Sequence, residues 1–211
     1  MNIITPYTEI MDDINGQEIL KKIEKCGRVC YKSEGKIKDG SAEKFVANII
    51  KRGHEAVLEH ASFTVKFVID RGVSHEIVRH RLASYCQEST RYCNYIKDDF
   101  GSEITVIKPF FLEEGTPAWF YWMNSCYKAE REYFSLLDWG CTAQEARSVL
   151  PNSLKTELVM TANLREWRTF FKLRTAEAAH PQMREVTIPL LNELKKLIPI
   201  VFDDIVAKGD C

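Results

Sequence analysis

Phe63-Thr64-Val65-Lys66-Phe67-Val68-Ile69 sets Phe63, Val65, Phe67 and Ile69 in alternation with Thr64, Lys66 and Val68. A period of two marks a β-strand with a buried face, and this is the clearest strand in the chain. Helical spacing flanks it. Around residues 16–28, Ile19, Leu20, Ile23 and Val29 recur at near-helical intervals with Lys and Glu between them. A second helix is predicted from Ser41, as N-cap, to Gly53, burying Phe45, Val46, Ile49 and Ile50. Residues 31–40, rich in Lys, Gly and Ser, read as a loop.

Downstream, a turn is expected at Asp70-Arg71-Gly72, with Ser74 capping a short helix that runs into His80. Residues 92–116 mix turn residues with a short apolar stretch, 104–107, that predicts a second strand. Pro117 opens an aromatic-rich helix reaching about Trp139. Thr142 and Glu145 form a capping box for a helix stopping at Leu150-Pro151. Residues 163–179 read as another helix, and 181–206 as a last one that Pro189 and Pro199 should kink or divide. The sum is one helix-rich α+β domain over residues 1–211, with a small mixed or antiparallel sheet.

Charge and cysteines exclude several functions. The 211 residues carry 29 Lys plus Arg against 30 Asp plus Glu, a net charge of −1. That balance excludes a general nucleic-acid coater but not a local basic pocket for a small phosphorylated ligand. Seven cysteines rule out a complete intramolecular disulfide framework, and no CxxC pair suggests a structural zinc site. A reducing, cytoplasmic setting is expected. Glu9, Asp12 and Asp13 make residues 1–13 a poor signal peptide, and charge breaks every apolar run before membrane-spanning length.

Chemistry concentrates in residues 79–92, Arg-His-Arg-Leu-Ala-Ser-Tyr-Cys-Gln-Glu-Ser-Thr-Arg-Tyr. Residues 71–91 hold four arginines (Arg71, Arg79, Arg81, Arg91) and no lysine. A guanidinium offers a flat fork of donors for phosphate or a pyrimidine carbonyl and keeps its charge. Ser84, Gln87, Ser89 and Thr90 add neutral donors and acceptors, a mixture suited to a nucleotide. The plain alternative is a solvated basic face. A second group is Arg147, Arg165, Arg168, Arg174 and Arg184. On one helix Arg165 and Arg168 share a side, whereas Arg174 projects about 180° from Arg165. One pocket of one subunit cannot gather them all.

Other features have simpler readings. Residues 53–60, Gly-His-Glu-Ala-Val-Leu-Glu-His, superficially resemble zincin spacing, but Leu58 stands where the second ligand belongs. No metal is expected. His54 is placed to donate to a ligand, and His60 to be a satisfied core histidine. Trp119, Phe120, Tyr121 and Trp122 read as core or subunit contacts, Lys21, Lys22 and Lys25 as a solvated face, and Asp203, Asp204 and Asp210 as an exposed tail.

Arg79-His80-Arg81 followed after seven residues by Ser89 resembles the RHRx7S signature of the flavin-dependent thymidylate synthases. Ala83-Ser84 and Ser89-Thr90-Arg91-Tyr92 agree with it. Gly53-His54 through Glu59-His60 and Phe63 is similar to the family's GHxSxxEHxxF segment. Arg147 with Leu150-Pro151, Asn163-Leu164-Arg165-Glu166-Trp167-Arg168, Phe171-Lys172-Leu173-Arg174 and His180-Pro181-Gln182-Met183-Arg184-Glu185 continue the likeness in order, over about residues 53–185.

The resemblance implies reductive methylation of dUMP to dTMP. Methylenetetrahydrofolate would supply the carbon and FADH2, regenerated by NADPH, the hydride. It implies a homotetramer with active sites shared between subunits, which accommodates the diverging arginines. Arg174 would be catalytic, stabilising the ionised uracil. Substrate would meet Glu76, Arg79, Gln87, Glu88, Ser89, Thr90, Arg91, Arg147 and Arg174. FAD would meet His54, Arg79, His80, Arg81, Gln87, Asn163, Leu164, Arg165 and Thr169. Three residues depart from the family pattern: Ala56 for Ser or Thr, Cys86 for Asn, and Thr169 for His or Asn. They leave open a neighbouring reaction, such as hydroxymethyl transfer to a pyrimidine nucleotide. A non-enzymatic nucleotide- or RNA-binding module is the third reading, against which Arg174 and Ser89 speak.

Overall fold

The computed structural model describes residues 1–92, 95 and 102–207. Asp210, named above, and two of the seven cysteines, Cys93 and Cys211, lie outside them, as does part of the turn-rich stretch 92–116. The elements run β1 (Asn2–Ile4), β2 (Tyr7–Ile10), α1 (Gly16–Val29), α2 (Ser41–Lys51), β3 (Ser62–Asp70), α3 (Arg71–Ile77), β4 (Ala83–Gln87), β5 (Thr105–Ile107), α4 (Pro117–Asp138), α5 (Ala143–Ala146), β6 (Lys155–Asn163), α6 (Leu164–Arg174) and α7 (Pro181–Leu197). Short 3₁₀ segments cover Glu55–His60 and Arg147–Val149. The expected helix-rich α+β fold with small sheets is what the chain forms.

The described residues form two sheets. One pairs β1 with β5 in parallel, Ile3 opposite Val106. The other has the order β2-β3-β6-β4. Leu164 N bonds Ala61 O at one end of β3 and Arg71 N bonds Leu154 O at the other, so β3 and β6 run antiparallel. Strand β6 was not anticipated, although every second residue (Thr156, Leu158, Met160, Ala162) is buried. Strands β1, β2 and β4 were missed too. They have three, four and five residues, too few for a pattern to stand out.

The chain forms two compact units. The first comprises Met1–Tyr7, Phe67–Arg79 and Cys86–Val159. Its core gathers Ile104, Val106, Cys126, Tyr133, Ala146 and Leu154. Of the aromatics read as core or subunit contacts, Trp119 is buried in the core and Phe120 and Tyr121 are exposed. The Thr142–Glu145 capping box is formed. Helix α3 starts at Arg71, so no turn intervenes: Asp70 caps it, accepting from Val73 N at 2.7 Å. Ser74, read as the cap, lies inside the helix and donates to Arg71 O at 2.8 Å.

The second unit holds Thr8–Lys66, His80–Tyr85 and the chain from Met160 onward. Here α1 buries Leu20 and Ile23, and Trp167 stacks on Phe63 with ring centroids 4.7 Å apart. Gly40, with φ of 71°, precedes α2 in place of the expected Ser41 cap. The Ser41 hydroxyl is engaged elsewhere, donating to buried Glu24 at 2.7 Å. His60, expected in the core, is exposed at the end of its 3₁₀ turn. Helix α6 stops at Arg174 rather than 179, and α7 ends before Pro199 but passes through Pro189. A helical proline costs about 3 kcal/mol. Burying Met183, Val186, Leu190, Leu191 and Leu194 returns roughly 1.5–3 kcal/mol for each large side chain, so packing wins.

Asp204 belongs to no idle tail. It accepts two bonds, at 2.6 and 2.7 Å, from Arg168, which is 1% exposed. Arg168 also donates to Glu55 at 3.0 Å and to Val201 O. Burial alone would raise the Glu55 carboxyl, but Arg168 more than offsets it and the pKa is lowered. The Arg168 bond and charge lower that of Asp204 despite partial burial. Arg168→Ala would strand these carboxylates and is expected to cost about 3–5 kcal/mol in urea unfolding. Gly16 has a different constraint: a Cβ there would sit 2.0 Å from Leu197 O, a backbone atom. Gly16→Ala should therefore destabilise by about 1–3 kcal/mol in the same assay, despite alanine's higher helix propensity.

Candidate active site

In the first unit, the end of β4 leads into a short polar loop. Ser74 spends its proton on Arg71 O, so it accepts from Gln87, whose amide nitrogen lies 3.0 Å away. The same nitrogen donates to Thr156 Oγ1 at 3.2 Å. These bonds orient the Gln87 amide. Glu88 N donates to Glu157 O at 2.9 Å, and the Glu88 carboxylate accepts from Glu157 N at 3.2 Å. Lys155 Nζ is 3.0 Å from Glu88 and 2.9 Å from Glu157. Burial works against the Lys155 charge, yet these carboxylates prevail and its pKa is raised.

The next residues turn. Ser89 Oγ accepts from Arg91 N at 3.3 Å, and Tyr92 N donates to Ser89 O at 3.2 Å. Buried Thr90 accepts from Arg147 Nη1 at 3.3 Å, across 57 residues of chain. Arg91 is exposed, its guanidinium 5.3 Å from the Tyr92 ring centroid. Ser89, Thr90, Arg91 and Arg147 thus gather at one place. Glu76 and Arg79 close the turn after α3, Arg79 N donating to Glu76 O at 3.3 Å.

The second unit holds a buried relay. Arg174 Nε donates to His80 Nε2 at 3.1 Å, and His80 Nδ1 lies 3.0 Å from Glu166 Oε1. Both contacts are satisfied together by a neutral imidazole with its proton on Nδ1. Burial is the largest influence on His80, opposed by Glu166 and reinforced by Arg174, and its pKa is lowered. Phe170 packs edge-on against the ring at 5.0 Å. Tyr85 donates to His80 O at 2.7 Å, and burial, aided by the Glu166 charge, pushes its pKa up to about 12. Glu166, unassigned from the sequence, is fixed by its position: Asn163 caps α6 by accepting from Glu166 N at 2.9 Å.

The remaining second-unit residues are mostly at the surface. His54 follows Gly53, whose φ of 71° suits glycine, and is exposed. Arg81 is exposed and has no bond or ion pair among the described residues. Arg165 pairs with Glu59 at 2.6 Å. Leu164 is fully buried and its N–H is spent on Ala61 O. The Thr169 hydroxyl bonds back to Arg165 O at 3.2 Å. Ala56 is exposed in the 3₁₀ turn, and Cys86 is exposed in β4. All five described cysteines are free thiols.

The sequence pattern of the family described as "Thymidylate synthase complementing protein" matches residues 12–200. The chain belongs to this family, the flavin-dependent thymidylate synthases. The enzyme of that name from Geobacter sulfurreducens is 37% identical over 189 residues, covering 84% of this chain and 78% of the relative. That from Pyrococcus furiosus is 35% identical over 162 residues, covering 76% and 66%. A solved structure described as a UMP/dUMP methylase, PolB, from Streptomyces cacaoi bound with 5-Br dUMP shares the fold, with a TM-score of 0.78 over 96% of each chain at 21% identity.

For a flavin-dependent thymidylate synthase, the RHR segment is divided in role. Arg79 and Arg81 are surface cations, while His80 is an internal strut between Glu166 and Arg174. Sequence reasoning missed Glu166, Lys155 and Glu157. The Asn163–Glu166 spacing was a usable cap signal for the first. The other two needed β6, whose alternation of exposure puts Lys155 and Glu157 on one side. With a lowered pKa, His80 is neutral at pH 7 and charges only on acidification, when Nε2 ceases to accept from Arg174. Nitrogen NMR of the His80 ring is expected to show the Nδ1–H tautomer at pH 7 and a midpoint below 6.5. A midpoint above that value contradicts the relay.

Proposed function

We propose that this enzyme converts dUMP to dTMP by reductive methylation, taking the carbon from methylenetetrahydrofolate, with FAD as the bound flavin and NADPH as reductant. In this reading residues 1–211 act as one domain, in a cytoplasmic homotetramer whose active sites draw residues from several subunits. Among the described residues no helix is long and apolar enough to cross a membrane. The observation that carries the reading is the meeting of the Ser89-Thr90-Arg91 turn with Arg147, whose guanidinium bonds the Thr90 hydroxyl between Ser89 and Arg91. That donor set suits a phosphomonoester. The names of the relatives and the bromo-dUMP in the PolB structure support dUMP as its owner.

Each side chain then has a task. Arg91 and Arg147 bind the phosphate with Ser89 and Thr90. Glu88 is tied to Lys155 and Glu157, which holds the loop in register and keeps its negative charge paired beside that phosphate. Gln87, its nitrogen turned to Ser74 and Thr156, presents its carbonyl oxygen as an acceptor for a nucleotide hydroxyl. Glu76 and Arg79 flank the same nucleotide. Arg174, its plane set by His80, supplies a fixed positive charge to the ionised uracil and so favours electron density at C5.

The donor chemistry also fits FAD. His54 and Arg81 are exposed and carry no internal ion pair among the described residues, as a cradle for a diphosphate requires. With Arg79, His80, Gln87, Asn163, Leu164, Arg165 and Thr169 they complete the set that would hold it. When bound, the flavin supplies the hydride that completes the methyl group.

Purified protein is expected to show flavin absorbance and dUMP-stimulated NADPH oxidation, with dTMP identified by product mass. Arg174→Ala should lower kcat about 100- to 1,000-fold, the scale for losing one electrostatic donor, at unchanged flavin content. A preparation that binds neither FAD nor dUMP sinks the reading, and a hydroxymethylated product redirects it to the neighbouring reaction.

A further inference from the structure

A cavity of about 330 Å³ in the second unit is lined by Arg28, Tyr31, Lys36, Phe45, Arg52 and His54 among others, with no carboxylate in its lining. A larger cavity of about 460 Å³ beside it in sequence also has lysines (Lys21, Lys25, Lys38) but balances them with Glu24, Asp39 and Glu43. The contrast is one of charge. In the smaller cavity the side chains of Lys36 and Arg52 make neither hydrogen bond nor ion pair among the described residues. Arg28 is held in place, its Nε and Nη2 both on Glu24 Oε1 at 3.1 and 2.7 Å, and its guanidinium 4.7 Å from the Phe45 ring centroid. Its Nη1 makes no bond among the described residues. Glu24 offsets the charge of Arg28, but Lys36 and Arg52 have no counter-charge among the described residues and focus a positive potential in the concavity, which an incoming anion relieves.

Size and rim narrow the ligand. At about 330 Å³ the cavity lies at the small end for ligand sites, so it suits one end of a larger molecule. Tyr31 is 68% exposed on the rim and offers a ring face for stacking. Arginine forks and a lysine suit a phosphate dianion, and an adjacent aromatic face suits a purine. The cavity also includes His54, which the reading above gives to the flavin.

We propose that this cavity binds the 2′-phosphorylated adenosine end of the reductant, with Lys36, Arg52 and Arg28 on the phosphate and Tyr31 against the base. The proposal rests on the reading that NADPH is the reductant, and it makes the enzyme prefer NADPH to NADH. No covalent step is involved.

The test uses the full-length, flavin-loaded protein and the double variant Lys36→Ala/Arg52→Ala, which changes two residues outside the dUMP and flavin sets. Calorimetric titration with adenosine 2′-monophosphate should show binding to the unaltered protein that weakens at least tenfold in the variant. Adenosine 5′-monophosphate and inorganic phosphate should bind more weakly than the 2′-ester. In stopped-flow flavin reduction the variant should lose NADPH efficiency about tenfold and keep that with NADH, while dUMP affinity stays unchanged. Failure of the 2′-ester to bind, or equal binding to both proteins, overturns the proposal. So does an equal loss with NADH, or a loss seen only with polyglutamylated methylenetetrahydrofolate, which would give the cavity to a carboxylate tail. Absence of dUMP-dependent turnover would count against the proposed reaction alone, since the 2′-ester titration decides the cavity by itself.

Discussion

A guanidinium removed from water is costly by several kcal/mol unless its charge is paired, and Arg168, whose Nε has no hydrogen-bond partner among the described residues, is paired from two stretches of the second unit. Glu55 comes from the 3₁₀ turn after His54, while Asp204 and the Val201 carbonyl come from the chain beyond α7. Hydrophobic contacts among Phe63, Trp167, Phe170, Phe171 and Phe202 supply the bulk of the cohesion there, but they are tolerant of small shifts. The ion cluster is not tolerant, because a shift leaves a charge unpaired. It therefore fixes where α6 lies against the Glu55 turn. His54 and Arg174 inherit their positions from that constraint, and Arg165 with Glu59 repeats the same link nearer the surface.

Much of the fold was legible where one local signal dominated. The alternation at Phe63, the periodicity of α1, Pro117 at the head of α4 and the Thr142–Glu145 box each settle their element through nearest-neighbour physics. The failures came where a side chain had a distant partner. Ser41 looks like a cap, but buried Glu24, seventeen residues earlier, takes its hydroxyl. Asp204 looks like tail decoration until Arg168 is found beneath it. Of the two prolines read as kinking or dividing the last helix, Pro199 lies beyond its end, whereas the apolar side of α7 carries the helix undivided through Pro189.

The site was legible in composition but not in arrangement. The sequence indicates that arginines and hydroxyls crowd residues 79–92, and the family motifs say which of them matter. Neither discloses that Arg79 and Arg81 face outward while the histidine between them is spent internally. The cause lies far along the chain, in Glu166 and Arg174, which bond both nitrogens of the imidazole and draw it inward. Nor does the sequence disclose that Glu88, acidic in a loop expected to bind an anion, has its charge matched by Lys155 from β6. These internal pairings are what separate polar groups that build the scaffold from those left to meet a ligand.

The passage from β6 into α6 occurs without a linker: Asn163 ends the strand and caps the helix. Strand register and helix rotation are consequently one variable. Removing a single residue between Met160 and Asn163 would send alternate side chains to the opposite side of the sheet. It would also rotate everything after it by about 100° about the α6 axis. Length is therefore more tightly conserved by physics in this short stretch than side-chain identity: point changes there perturb packing, whereas an insertion or deletion would re-aim Arg174 itself.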